Sequence, residues 1–182
     1  MSDLTITNAG VSVTKKTGGE VLSNNKKLNQ MKVDVIELTP GTTTNTCSDG
    51  EIIFDNEKIE NCVAVKGGSC ILQSITILDD DDIGAAVDLV FLSASGSLGT
   101  EGSAISVDDA SSTVPGTILG VVTVSNYMDG VNWKLGHKEN IGLVLKAAST
   151  SRDIYVACIN RSGSSATWGA DDLHLKFGIV QD

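Results

Sequence analysis

The chain has 182 residues, 41% hydrophobic and only 4% aromatic, with a formal net charge of −10. That length holds one sizeable domain, or a domain and an arm, and buries a core without disulfides or metals. Its acidity argues against a nucleic-acid-wrapping body, which needs a basic surface, and no run of about twenty apolar residues is present to cross a membrane.

The charge is uneven along the chain. Lys15, Lys16, Lys26, Lys27 and Lys32 outweigh Asp3 and Glu20, so residues 1–32 carry +3 and the remainder −13. Leu4-Thr5-Ile6 and Val11-Ser12-Val13 alternate with period two before Thr17-Gly18-Gly19 interrupts them. The expectation is an extended basic N-terminal arm over 1–32, with one short strand, ahead of a domain over 33–182. A basic arm on an acidic body is a docking pattern, which makes the five lysines docking candidates. The same composition also fits a solvated terminus. Met1 to Thr17 lacks the apolar run of a signal peptide, so cytosolic synthesis and reduced thiols are expected.

Strand patterns follow in close order. Val33 to Leu38 is the first, stopped by Pro40-Gly41. Glu51 to Phe54 is a short strand, and the polar stretch Asp55 to Asn61 reads as a turn. Cys62 to Val65 is another short strand, ended by Gly67-Gly68. The densest β signal lies in Gly67 to Leu92, where Ile71–Leu78 and Val87–Leu92 flank an acidic turn and read as one core hairpin. Period two places Ile71, Ile75 and Ile77 on one face, and Val87, Leu89 and Phe91 on one face.

After a Ser/Gly loop, Ser106 stands three residues before Asp109, a capping-box-like signal for one short helix near 106–114, stopped by Pro115-Gly116. Ile118 to Ser125 is β-branched on both faces and reads as a central strand. Asn126 to Val131 reads as a turn. Trp133–Leu135 and Ile141–Lys146 flank a loop, and Ile154–Asn160 is strongly apolar. In the last strand Leu173, Leu175, Phe177 and Ile179 alternate with His174, Lys176 and Gly178. Roughly eight to ten strands with short connections predict an antiparallel two-sheet sandwich of jelly-roll type, with an Ig-like sandwich as the alternative.

Chemical motifs are sparse. Asp79 to Asp82 lacks the D-x-D-x-D-G register of a calcium loop and reads as an acidic, solvated hairpin tip. Four cysteines, Cys47, Cys62, Cys70 and Cys158, form no CxxC pair and have no histidine at ligand spacing, so no metal site is expected. Cys62 and Cys70 could face each other, which geometry decides. His137 and His174 could each enter a Ser-His-Asp triad, but no G-x-S-x-G elbow accompanies them. A hydrolase is therefore the weakest reading. Trp133 and Trp168 lie in or beside loops, where an indole can anchor an interface, stack on a sugar or cap the core. No catalytic residue and no cofactor is expected.

Ile71-Leu72-Gln73-Ser74-Ile75-Thr76, Val87-Asp88-Leu89, Ile118 to Val122, Ile154-Tyr155-Val156, Arg161 and Asp172-Leu173 to Asp182 together resemble a family of tailed-phage virion structural proteins. The resemblance covers about residues 33–182. It departs at Ser162-Gly163-Ser164-Ser165, where a Thr-Pro is usual after the arginine. The resemblance implies a jelly-roll body and a capsid decoration (cement) or head-fibre role without catalysis. It also implies the major capsid protein as partner, self-association as a homotrimer, neither nucleic acid nor membrane as partner, and a place on the virion surface after synthesis in the host cytoplasm. The alternative is a receptor- or glycan-binding module of a phage head or tail fibre, with Trp133 or Trp168 stacking on sugar.

Overall fold

The computed structural model describes residues 4–8, 11–15, 21–23, 32–108 and 112–181. The chain divides into two compact units, Met1–Met31 and Lys32–Asp182. In the first, β1 (Leu4–Asn8), β2 (Val11–Lys15) and β3 (Val21–Ser23) form an antiparallel meander in which Leu4 faces Lys15 and Val13 faces Ser23. An extended arm with one strand was expected there; the alternating runs instead pair with each other. Their separations are short, so closing the loops costs little chain entropy.

The second unit has ten strands: β4 (Lys32–Leu38), β5 (Ile52–Ile59), β6 (Ser69–Asp79), β7 (Val87–Leu92), β8 (Ile118–Val124), β9 (Tyr127–Asp129), β10 (Lys134–Lys138), β11 (Leu143–Lys146), β12 (Ile154–Asn160) and β13 (Leu173–Gln181). One sheet has the order β4-β13-β6-β10-β9, with β11 also paired to β6; the other has the order β5-β12-β7-β8. All pairings are antiparallel. The pairing is nested: first strand with last, second with second-last, β6 with β10 and β11, and β7 with β8. A long hairpin rolled into two facing sheets gives this order, and it is the jelly roll. The Ig-like alternative has a different strand order.

The jelly roll redistributes several expected elements. β6 and β7 do not form a hairpin: β6 pairs with β13, β10 and β11, whereas β7 pairs with β12 and β8. The Asp80–Ala86 connection therefore crosses between sheets. Ile71 is not on the face of Ile75 and Ile77. A bulge between the Gly178–Ser74 and Ile179–Leu72 pairs inserts Gln73, so Cys70 and Leu72 point into the core before it and Ile75 and Ile77 after it. Gly178 belongs at this bulge, because a Cβ there would overlap the Ser74 hydroxyl.

Asp55 to Ile59 continues β5 instead of turning, because Asp55 and Asn56 bond to a loop. The Asp55 carboxylate accepts from Leu98 N at 2.8 Å and Ser97 Oγ at 2.6 Å, and Asn56 Oδ1 accepts from Gly96 N at 2.9 Å. Cys62 to Val65 forms bends rather than a strand, with Cys62 and Val63 buried. β8 is an edge strand, not a central one. Tyr127 to Asp129, expected as a turn, is a strand paired to β10. Ser106 to Asp108 is not helical; the helical turn is a 3-10 helix at Val114–Thr117, which contains the Pro115-Gly116 expected to end it. Asp109 lies outside the described residues.

Between the sheets sits an aliphatic core built from β6 and β13 on one side and β7 and β12 on the other. Phe91 and Phe177 meet edge to face at its centre, centroids 5.9 Å apart and planes at 81°. A second cluster lies on the opposite face of the four-stranded sheet: Ile52, Val90, Leu92, Leu98, Ala157 and Ile159. The long β7–β8 connection covers this cluster. Ile52 exchanges backbone hydrogen bonds with Ser103 and Gly102 at 3.0 and 2.8 Å.

Candidate interaction surface

The outer face of the six-stranded sheet has no comparable cover within this unit. Directly opposed residues in antiparallel strands point the same way. The register therefore sets Val33, Val180, Ile71 and Val144 side by side across β4, β13, β6 and β11. Val33 is 73% exposed and Val144 58%, with Val35 beside them at 58%. β-branched residues suit a strand wherever they point, but five converging on one open face leave an apolar row in water.

A polar row runs alongside it. Lys176 pairs with Glu37 at 2.7 Å, and Thr76 with His137 at 3.0 Å. The ammonium beside Glu37 holds its carboxyl below the ordinary range. Beyond these lie Leu78, Leu135 and the exposed Met128. The strand residues on this face thus contribute one carboxylate, Glu37, which is already paired, although residues 33–182 carry 21 acidic groups. A face low in unpaired charge and rich in exposed apolar side chains can desolvate against a partner at little cost.

A smaller apolar recess opens on the other side of the sandwich. It is about 210 Å³, lined by Val90, Leu98, Ile105, Val107, Ile118 and Val121, with the Arg161–Asp88 pair (2.8 Å) at its rim.

The acidic run splits into two roles. Asp79 is buried and is no part of a solvated tip: its carboxylate accepts from Gly84 N at 2.8 Å and Asp81 N at 3.1 Å, closing the crossing between sheets. Burial pushes its carboxyl above the ordinary value. Asp80, Asp81 and Asp82 are exposed. Asp81 accepts from Gly169 N at 2.5 Å, and Asp172 is raised by desolvation and by Asp81 and Asp80 beside it. Among the described residues no three His, Cys, Asp or Glu side chains converge as a metal site.

His174 and His137 occupy different strands and are not brought together. His174 contacts Asp80 at 3.1 Å through Nε2 and Thr39 at 3.0 Å through Nδ1. This has the order of a triad, but it joins the hydroxyl through Nδ1 on an exposed sheet face. It serves as a clip between the end of β4, β13 and the β6–β7 crossing.

The remaining candidates scatter. Trp168 is 1% exposed and packs in the core near Asp79, with its indole N–H short of hydrogen-bond geometry, so it cannot stack on a sugar. Trp133 is half-buried and its ring lies against Gly130, where no Cβ would fit. Lys15 ends β2, and Lys32 heads β4, paired to Asp34; Lys16, Lys26 and Lys27 lie outside the described residues. Cys62 and Cys70 do meet, with sulfurs 3.4 Å apart. The apolar row was not found from sequence, although the alternation of β13 already placed Val180 away from its core face.

No protein-family model matches the chain. No curated protein matches it either. Among solved structures it is similar to the capsid of Ralstonia phage GP4, with 13% identity, 86% of this chain and 88% of that chain covered, and a TM-score of 0.35. It is also similar to the infectious bursal disease virus VP2 subviral particle, with 10% identity, 94% of this chain and 50% of that chain covered, and a TM-score of 0.24. Likenesses this distant carry no functional argument.

Proposed function

We propose that this chain is a non-enzymatic virion component, a decoration protein that binds the outer surface of a phage capsid and stabilises the shell. The observation that carries the reading is the open apolar row Val33–Val180–Ile71–Val144 on a rigid jelly-roll sheet. The sequence resemblance to tailed-phage structural proteins supports the same reading. Docking through this row removes β-branched side chains from water, and each contact formed only on the assembled shell stabilises that shell by mass action.

In this proposal the body associates as a homotrimer on the capsid, and the basic segment 1–32 contacts the major capsid protein through its lysines. Two chains test the parts separately. Purified capsids are incubated with the full chain, with V33D/V144D, and with a truncation beginning at residue 33, then sedimented and heated. The expected result is saturable binding that raises the capsid's heat resistance, loss of binding in V33D/V144D, and weakened binding in the truncation. Wild-type occupancy and heat resistance with both variants would overturn the proposal.

A further inference from the structure

Cys62 lies in the turn after β5 and Cys70 is the second residue of β6. Both are buried, and their sulfurs are 3.4 Å apart. Contacts independent of the sulfurs hold the two backbones. Gln181 Nε2 donates to the Asn61 and Cys62 carbonyls at 2.9 and 3.1 Å. Val63 N donates to Arg152 O at 3.0 Å, and Gly67 N to Ser151 O at 2.9 Å. The Cys70 segment is locked between β13 and β11, opposite Gln181 and Leu145. The thiols are therefore preorganised, so joining them requires little chain ordering beyond what folding has already done.

We infer that Cys62 and Cys70 form a site of oxidative modification, closing to a disulfide that pins the turn after β5 to β6 when the folded protein meets a peroxide. Either sulfur can donate in this contact; with the Cys62 thiol as donor the Cys70 pKa is lowered, and Cys70 is then the nucleophile. Its thiolate attacks the peroxide O–O bond; one oxygen stays on sulfur as a sulfenic acid, and the other leaves with a proton as water. The Cys62 sulfur then displaces that hydroxyl, which departs with the Cys62 proton as a second water, and the S–S bond forms. Two thiols are oxidised and one peroxide is reduced, two electrons each way. The adjoining turn, Ala64 to Lys66, is exposed. Cys47 and Cys158 are internal controls: Cys158 is buried within β12, and Cys47 is turned to the carbonyls of Ile52 and Asn45 at 3.5 and 3.7 Å. This inference is independent of the docking proposal.

The test treats the full-length folded chain with hydrogen peroxide, alkylates it under denaturing conditions with N-ethylmaleimide, and maps peptides by mass spectrometry. The expected result is two alkylated cysteines, Cys47 and Cys158, and one cross-linked peptide joining Cys62 to Cys70. A dithiothreitol-reversible rise in Tm of about 5 to 10 °C accompanies it. C62A and C70A each lose both the cross-link and the rise. Four alkylated cysteines, a sulfinic acid on Cys70 without a cross-link, or a cross-link through Cys47 or Cys158 would overturn the inference, and each is read on the wild-type chain.

Discussion

The two sheets carry similar β-branched residues on their outer faces and treat them differently. On the four-stranded sheet, Ile52, Val90 and Ile159 are buried under the protein's own β7–β8 connection, clamped to β5 by Asp55 and Asn56. On the six-stranded sheet, Val33, Val35 and Val144 stand in water. Strand formation accounts for both rows, since these residues favour extended backbone. It does not account for covering one and leaving the other. The covered row contributes to this domain's own stability, whereas the bare row has almost no role within it.

The largest effect sets the baseline. Phe177 touches both sheets through Phe91 at the shared core, so Phe177→Ala should destabilise by roughly 3–5 kcal/mol in urea denaturation. Both outer faces should loosen together in hydrogen exchange. Exchange confined to one sheet would show that the sheets are not one cooperative unit.

Removal of the clamp should be smaller and one-sided. Asp55→Ala leaves Leu98 N without its acceptor, while Ser97 Oγ keeps the Gly99 carbonyl, at a cost of about 1–3 kcal/mol. Amide exchange should quicken at Leu98 and Gly102 and stay slow along β13. Equal quickening on the six-stranded sheet would break the distinction between the faces.

A third effect is a slope rather than a loss. Asp79, which closes the crossing between sheets, has its carboxyl raised by burial above the ordinary 3.8. Folded protein therefore holds that proton to higher pH than unfolded protein does. In the window just above 3.8 the native state binds more protons, so this group's contribution to stability falls as pH rises through it. Asp34 and Glu37, lowered by Lys32 and Lys176, act oppositely; their contribution is lost as pH falls below the ordinary carboxylate range. Asp79→Asn should flatten the decline above 3.8, leaving the parts that come from the raised carboxyls of Asp172 and Glu101, and should leave the acid-side loss in place, as read from urea midpoints across pH. An unchanged profile would mean that Asp79 titrates as if unfolded.

The sequence carried the fold class and most of the strands because burial on a sheet leaves a period-two trace, as in Val87–Leu92, Ile154–Asn160 and β13. It did not carry what depends on distant partners. Nothing local tells that β6 and β7 belong to different sheets, or that Gln73 is bulged so that Ile71 turns outward. The polar letters of Asp55 and Asn56 spell a turn until the loop they bond, some forty residues later, is in place. β8 looked central because it is apolar on both faces; the β7–β8 connection and the open recess supply that outer environment in place of a second neighbouring strand. The apolar row itself is spread over four strands, one residue from each, and only the register assembles it.

The smallest expected effect on stability is the sharpest test of the comparison. Val33 and Val144 are largely exposed on opposite sides of the row, so folding gains little from them. V33D/V144D should lower the unfolding free energy from urea denaturation by no more than about 1 kcal/mol per substitution, the span of strand propensity from Val to Asp. Val90→Asp, the same chemical change on the covered face, buries a carboxylate in an apolar cluster and should cost several kcal/mol. The docking readout should invert the order. V33D/V144D places two charges on the proposed contact and should abolish capsid binding while the domain stays folded. A stability loss in V33D/V144D as large as that of Val90→Asp would mean that something in this chain already covers the row. The bare face would then be a second core rather than a surface kept for a partner.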